Sequence, residues 1–358
     1  MKKIFLILTA LSVLTLSCCD KEKSIPKPVI SASVPIAYDP NEFVIEGTVL
    51  VKYIGSSKDV IIPNGVTFIG EKAFEEKQIT SVIIPESVTS IGGYAFSKNK
   101  LTSVIIPDGV TYIGDYAFAN NQLAGITIPN SLTSIENSAF SENKLTSVII
   151  PNGITSIKGS AFFGNQLTNI TIPNSVIYIG DIAFRENKLT DLTIPNSVTY
   201  IGWLAFYENK LTNVNIPDSV THIENCAFFG NQLTNVTIPN SITYIGSETF
   251  ENNKLTKITI PSSVTFIGYN AFKNNKLTSV IIPDSVTYID YGAFAKNEIY
   301  EITIGKNVSV SGRRALNDYD DYKEEPASFP FGFDVYYIKN KNQAGTYVYK
   351  NGSWSRSK

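Results

Sequence analysis

Asn99-Lys100-Leu101-Thr102-Ser103-Val104-Ile105-Ile106-Pro107-Asp108-Gly109-Val110-Thr111-Tyr112-Ile113-Gly114-Asp115-Tyr116-Ala117-Phe118 is one copy of a unit that fills most of this 358-residue chain. Its proline returns at 63, 85, 107, 129, 151, 173, 195, 217, 239, 261 and 283, always 22 residues apart. Its phenylalanine keeps the same step at 74, 96, 118, 140, 162, 184, 206, 228, 250, 272 and 294. A fixed period of 20–30 residues identifies a solenoid, in which each unit is a rung that buries its apolar side only against its neighbours. A degenerate twelfth unit follows, with Gly305 in the proline place and Ala315-Leu316 in the Ala-Phe place.

Comparing the units with one another separates inward from outward places. The Ile106 and Ile113 places are Ile throughout the eleven units, and the Val104 and Val110 places accept only Val, Ile or Leu. The Ala117 place is Ala except for Thr249, as a tight site beside a large ring requires. The Ser103 place runs through Ser, Gly, Asn, Asp, Lys and Glu and therefore faces solvent. Apolar, variable, apolar at Val104-Ile105-Ile106 is the period-2 pattern of a strand. A second short strand is expected at Val110-Thr111-Tyr112-Ile113, after a Pro107-Asp108-Gly109 turn in which proline presets φ. The Gly114 place is Gly in seven units but Glu136, Lys158, Glu224 or Asp290 in four, so it does not need positive φ. Asn recurs at the Asn99 place from 99 to 297, with Lys77 in the first unit. Such a column is expected to be buried amides that satisfy backbone groups at a turn.

Outside the repeats the composition changes twice. Lys2 and Lys3 precede an uncharged apolar stretch, Ile4 to Leu16, too short to span a bilayer as a helix and typical of a secretory signal. Leu14-Thr15-Leu16-Ser17-Cys18 resembles the lipobox of bacterial lipoproteins, which implies cleavage before Cys18 and its lipidation. Cys19 is the competing acceptor, and an ordinary signal peptide cleaved nearby is the plainer alternative. Residues 1–17 are thus expected to be a lipoprotein signal peptide and 18–41 a Pro/Ser/Lys tether. Residues 42–62 read as an N-terminal cap whose Phe43 to Tyr53 stretch forms a strand pair, and 63–317 as the repeats. Residues 318–358 read as a C-terminal β-hairpin cap, with strands at Phe333-Asp334-Val335-Tyr336-Tyr337-Ile338 and Gly345 to Tyr349 and a turn at Asn351-Gly352.

The string Leu277 to Phe294 resembles the BspA-like leucine-rich repeats, and the likeness spans about 70% of the chain, from 58 to 316. It departs from the commoner form of that family, which has cysteine after the Ala-Phe pair where this chain has the Asn neighbourhood. The resemblance implies a β-rich solenoid: a right-handed leucine-rich-repeat superhelix of about 11–12 rungs, with a parallel strand ladder on its concave side and caps at both ends. It also implies a surface protein of a host-associated microbe, some relatives being adhesins. The family motif contains no catalytic or ligand residues to carry over.

Chemistry is scarce in this composition. Only 17% of residues are charged, the formal net charge is -2, and there are one histidine, three cysteines and one methionine. That balance gives no field for nucleic acid, and no phosphate loop, metal-spaced ligand set, cofactor motif or nucleophile elbow is present. His222 stands in the variable Tyr112 place, and Cys226 in a variable place without a partner in the repeats, so neither suggests catalysis. Two outward rows remain as candidate ligand surfaces. One is the strand face through Asn169, Asp191, Asn213, Asn235 and Lys257. The other is the aromatic row through Tyr112, Tyr178, Tyr200, His222, Tyr244 and Tyr288, whose plainer role is stacking between neighbouring rungs. The expected function is non-catalytic adhesion: a lipid-anchored protein of the bacterial envelope, at the outer membrane or cell surface, binding a host matrix or cell-surface protein. A structural or assembly lipoprotein of the envelope is the competing class.

Overall fold

A column of aromatic rings runs along the molecule and sets its architecture. The computed structural model describes residues 39–311 and 329–357. The expected signal peptide, Cys18, Cys19, nearly all of the tether and the Ala315-Leu316 pair lie outside the described residues. Phe74 to Phe294 stack rung on rung with centroids 5.0–5.9 Å apart and nearly parallel planes. Around this column the Leu101, Val104, Ile106, Val110, Ile113 and Ala117 places are buried in unit after unit and form one continuous core. No rung has enough interior to bury its own ring on both faces, which is why the fold exists only as a stack.

The result is a parallel-strand β-solenoid of about 12 turns. The more regular ladder comes from the two-residue strands at the Tyr112-Ile113 place, paired at a register of 22 residues, as in Tyr178↔Tyr200 and Ile179↔Ile201. Beside it the threonine hydroxyls of Thr111, Thr155, Thr221 and Thr287 donate to carbonyls one rung back, which explains the preference for Thr there. This ladder falls into three sheets, parting between Tyr112 and Ser134 and again between His222 and Tyr244. The first parting falls at a rung without glycine in the Gly114 place, Glu136, whereas the rungs of Lys158, Glu224 and Asp290 each pair with the rung before. Gly114 has no positive φ. A Cβ there would lie 2.6 Å from the backbone nitrogen of Gly93, so glycine is used for close approach between rungs. Glu136 carries that Cβ, and the Phe118–Phe140 step at its rung is the widest in the column, 5.9 Å. The neighbouring non-glycine residue, Lys158, forms an ion pair with Glu136 across the next step.

The other ladder, at the Val104 place, is intermittent. Asp59–Ile61 pairs with Ser81–Ile83, Asp191–Thr193 with Asn213–Asn215, and Ser279–Ile282 with Glu301–Ile304, while single bridges join Thr127, Ile149 and Thr171. The strand expected at Val104-Ile105-Ile106 itself is absent.

Both ends continue the column. Phe43–Glu46 and Val49–Tyr53 form the antiparallel pair expected from the sequence, and Tyr53 stacks on Phe74 at 5.2 Å. At the far end Phe329 stacks on Phe294 at 4.9 Å. Gly345–Lys350 pairs antiparallel with Glu301–Ile304 and turns through Asn351-Gly352 into Ser353–Arg356. The strand expected over Phe333 to Ile338 is instead the helix Phe333–Lys339. A strand would bury Val335 with Phe333 and Tyr337. The helical period of four buries Phe333 and Tyr337 and leaves Val335 52% exposed.

Candidate binding surface

The inner side of each rung leaves little polar capacity unused. Asn165 Nδ2 donates to the carbonyls of Phe140, Phe162 and Phe163, and its Oδ1 accepts from the backbone nitrogen of Leu145. The arrangement recurs from Asn99 to Asn297, so the column is the buried amide ladder expected of it. Recognition therefore falls to the outward rows.

Asn169, Asp191, Asn213, Asn235 and Lys257 are all exposed, one per rung, with Thr171, Thr193, Asn215, Thr237 and Thr259 as exposed neighbours two residues on. Parallel pairing of Asp191–Thr193 with Asn213–Asn215 holds two of these rungs in register. A shallow open groove of about 580 Å³ runs from Asn215 and Thr237 to Asp218 and Asn240 at the proline turns. The surface is polar and almost neutral.

The aromatic row is differently built. Tyr178 stacks on Tyr200 at 5.1 Å, Tyr200 meets His222 at 6.2 Å with a 36° tilt, and Tyr244, Phe266 and Tyr288 stack in turn at 5.0 and 5.5 Å. The inner members, Tyr200 and Phe266, are covered on both sides, whereas Tyr178 and Tyr244 end their stacks and stay exposed. Burial, followed by the nearby Glu224 carboxylate, pushes the Tyr200 hydroxyl up to about 12, so it stays protonated as a hydrogen-bond donor. Tyr112, 47% exposed, sits between the rungs of Ser90 and Ser134 and is the member with open ring faces. His222 Nδ1 lies 2.9 Å from the hydroxyl of the adjacent Thr221.

A further row, directly after the central phenylalanines, lies outside both candidate surfaces expected from the sequence. In it Arg185 lies over the rings of Phe163 and Tyr207, 5.6 and 4.9 Å from their centroids, and Tyr207 stacks on Phe229 at 4.7 Å. The run of large residues at 163, 185, 207 and 229, after Ser97, Ala119 and Ser141 in the same place, was the available signal. Glu186 pairs with Arg185 at 2.8 Å and closes this patch on its acidic side.

Cys226 is a free thiol that donates to Glu248 Oε2 at 3.6 Å. Burial, then the Glu248 carboxylate, pushes it up to about 12, so it is held as an unreactive thiol. Among the described residues no group of three or more His, Cys, Asp or Glu is placed to hold a metal ion, and no helix is long and apolar enough to cross a membrane.

Comparison with known proteins agrees with this geometry. Among solved structures, the chain is similar to a leucine-rich repeat protein from Bacteroides ovatus at 26% identity and a TM-score of 0.57, covering 70% of this chain and 74% of that one. A leucine rich cell surface protein from Faecalibacterium prausnitzii is similar at 27% identity and a TM-score of 0.48, with 79% and 97% covered. The pneumococcal vaccine antigen PcpA shares the fold at 21% identity and a TM-score of 0.54, with 74% and 79% covered. No curated protein sequence matches the chain. The family described as the BspA type leucine rich repeat region matches over residues 51–166, 113–232, 156–276 and 199–323. With its 22-residue rungs, its amide ladder and its phenylalanine column inside that match, the chain belongs to the BspA-type leucine-rich repeat family.

Proposed function

We propose that this protein is a non-catalytic binding protein of the bacterial surface, anchored through lipid on Cys18. In this reading the polar strand face from Asn169 to Lys257 is offered to a protein partner, such as a host matrix or cell-surface protein. The observation that carries the reading is the division of labour in each rung. The repeated residues are consumed by the core and by backbone hydrogen bonds, while the exposed Ser103 place changes chemistry from rung to rung over a continuous stacked core. Eleven rungs at ~4.8 Å give on the order of 50 Å of such surface, enough for many weak contacts to add. Family membership supports a protein-binding scaffold, and the sequence before Cys18 supports export and anchoring.

The test is binding of the full chain to immobilised host matrix proteins, beside protease accessibility on intact cells. Replacing Asn169, Asp191, Asn213, Asn235 and Lys257 together by Ser is expected to weaken binding at least about tenfold. Replacing Tyr178, Tyr200 and Tyr244 by Ser, a residue that Ser90, Ser134 and Ser156 already supply in that row, is expected to change it less than about threefold. The reverse ranking transfers the site to the aromatic row. A chain protected from protease on intact cells, with no matrix binding, overturns the surface reading in favour of an envelope structural role.

A further inference from the structure

The strand face changes character along its length, and its first half does not match the polar surface proposed above. At the Ser103 and Ile105 places the rungs read Ser81 and Ile83, Ser103 and Ile105, Gly125 and Thr127, Ser147 and Ile149. Every one of these residues is exposed, and Ile83, Ile105 and Ile149 are exposed by 47%, 60% and 72%. A ridge of β-branched side chains therefore stands beside a groove of Ser and Gly. The pattern stops at both ends. Asp59 replaces the small residue beside Ile61 on one side, and Asn169 beside Thr171 begins the polar half on the other. Ser279 and Ile281 repeat the pairing once, between rungs carrying Thr259 and Thr303, and form no ridge. Strand pairing accounts for Ile83, within Ser81–Ile83, and single bridges for Thr127 and Ile149, but not for Ile105, whose rung carries no strand and is still 60% exposed.

We infer that this half-face pairs with the same half-face of a second copy of the chain. A ridge and a groove two residues apart are self-complementary under a two-fold axis that runs parallel to the solenoid axis over the buried Val104 place. That operation sets each rung against the same rung of the second copy with strands antiparallel. Ile105 then lies in the groove at Ser103 of the second copy, Ile83 at Ser81, Thr127 at Gly125 and Ile149 at Ser147. In each of the four rungs the larger residue meets the smaller.

Charge selects this axis over the alternative. The same operation exchanges places four residues before and four after Val104, which brings Lys100 of one copy to Asp108 of the other, twice over. Both residues are exposed. In the flanking rungs Gln78 meets Glu86 and Lys144 meets Asn152, so no like charges are opposed. A two-fold axis along the strands would instead set Lys100 against Gln122 and Ile105 against Thr127, losing the Lys100–Asp108 pair and opposing ridge to ridge. Parallel axes also place both first rungs at one end, which suits two chains anchored at their N-termini, although the pairing does not depend on that anchor. Four rungs at ~4.8 Å give a strip about 19 Å long. That is well below the roughly 800 Å² per partner of a standard interface, so the pairing is weak, with micromolar dissociation, and is favoured where copies are crowded on a surface.

Sedimentation of the full chain in a nonionic detergent, from about 1 to about 100 µM, tests this. The expected result is the mass of two chains at the upper end of the range. Replacing Ile83, Ile105 and Ile149 by Asn, which Asn215 shows the row accepts, is expected to weaken pairing at least about tenfold with unchanged melting. Lys100→Glu and Asp108→Lys should each weaken it, and the double variant should recover it. A single-chain mass throughout the range overturns the proposal. So does an Asn variant that pairs like the parent, which would place association elsewhere in the chain. A charge-swapped double variant that fails to recover overturns the parallel arrangement.

Discussion

The phenylalanine column and the strand face belong to the same rungs, yet one does not change over eleven units and the other changes at nearly every step. Phe162 is fully buried, with Phe140 and Phe184 stacked on its two faces at 5.8 and 5.5 Å, so its place is fixed by two neighbours at once. The Ser103 place is exposed in every rung and runs from Ser147 to Asn169 to Asp191 within three rungs. A stacked repeat separates stability from recognition by row and not by region. Any rung can alter its outward chemistry without consulting the core, and this permits one ladder to carry an apolar half and a polar half.

The largest effect that tests this separation is Phe162→Ala. Removing a ring shared by two interfaces is expected to cost ~3–5 kcal/mol, read by chemical denaturation. Ile105→Asn, on the outward side, should stay within about 0.5 kcal/mol. If the two substitutions cost the same, the column is not what holds the rungs.

The asparagine column sharpens the comparison, because it sets two asparagines of one rung against each other. Asn165 is buried and makes four hydrogen bonds through its side chain, three given and one accepted. Asn174 is exposed at the proline turn. Asn165→Ala leaves the Leu145 N–H without its acceptor and takes one donor each from the Phe140, Phe162 and Phe163 carbonyls, which keep Asn143, Asn187 and the Glu142 N–H, for an expected loss of ~1–3 kcal/mol in thermal or chemical unfolding. Asn174→Ala should cost under about 0.5 kcal/mol. Equal losses would mean that the amide ladder is solvated and contributes no more than a surface turn.

These columns were legible because they repeat: inwardness showed as invariance between units, and Phe74 to Phe294 and Asn99 to Asn297 needed no structure to be placed. What escaped reading is backbone conformation. Two residues in each rung take left-handed φ, at the Tyr116 and Asn120 places, and the first of these holds Tyr94, Ile182, Leu204, Cys226 and Glu248. Glycine, the usual sign of such a place, instead marks Gly114, where it serves close approach between rungs. The helix at Phe333–Lys339 was misread for a related reason: six residues with no repeat to compare fit a strand or a helix equally well by apolar pattern. The half-face alternation of Ile or Thr with Ser or Gly was visible residue by residue, but it became a surface only when register placed successive rungs side by side.

Ile182 offers the smallest of these effects and the closest test of how free the outward rows are. It is β-branched and sits at φ 63°, the conformation that L side chains with a branched Cβ resist most. The turn demands it, because the left-handed residue aims its N–H along the stack: Ile182 N donates to the Trp203 carbonyl at 2.7 Å, as Tyr94 N does to Asp115. Asn, which occupies the same place at Asn270, keeps that N–H and tolerates the conformation. Ile182→Asn is therefore expected to stabilise the protein by about 1 kcal/mol, a rise of roughly 2 °C in Tm. A fall in Tm would show that the half-buried Ile182 side chain contributes more by packing than its backbone loses by strain. The outward rows would then be coupled to the core, and the freedom that lets the two halves of the strand face differ would be narrower than the sequence variation implies.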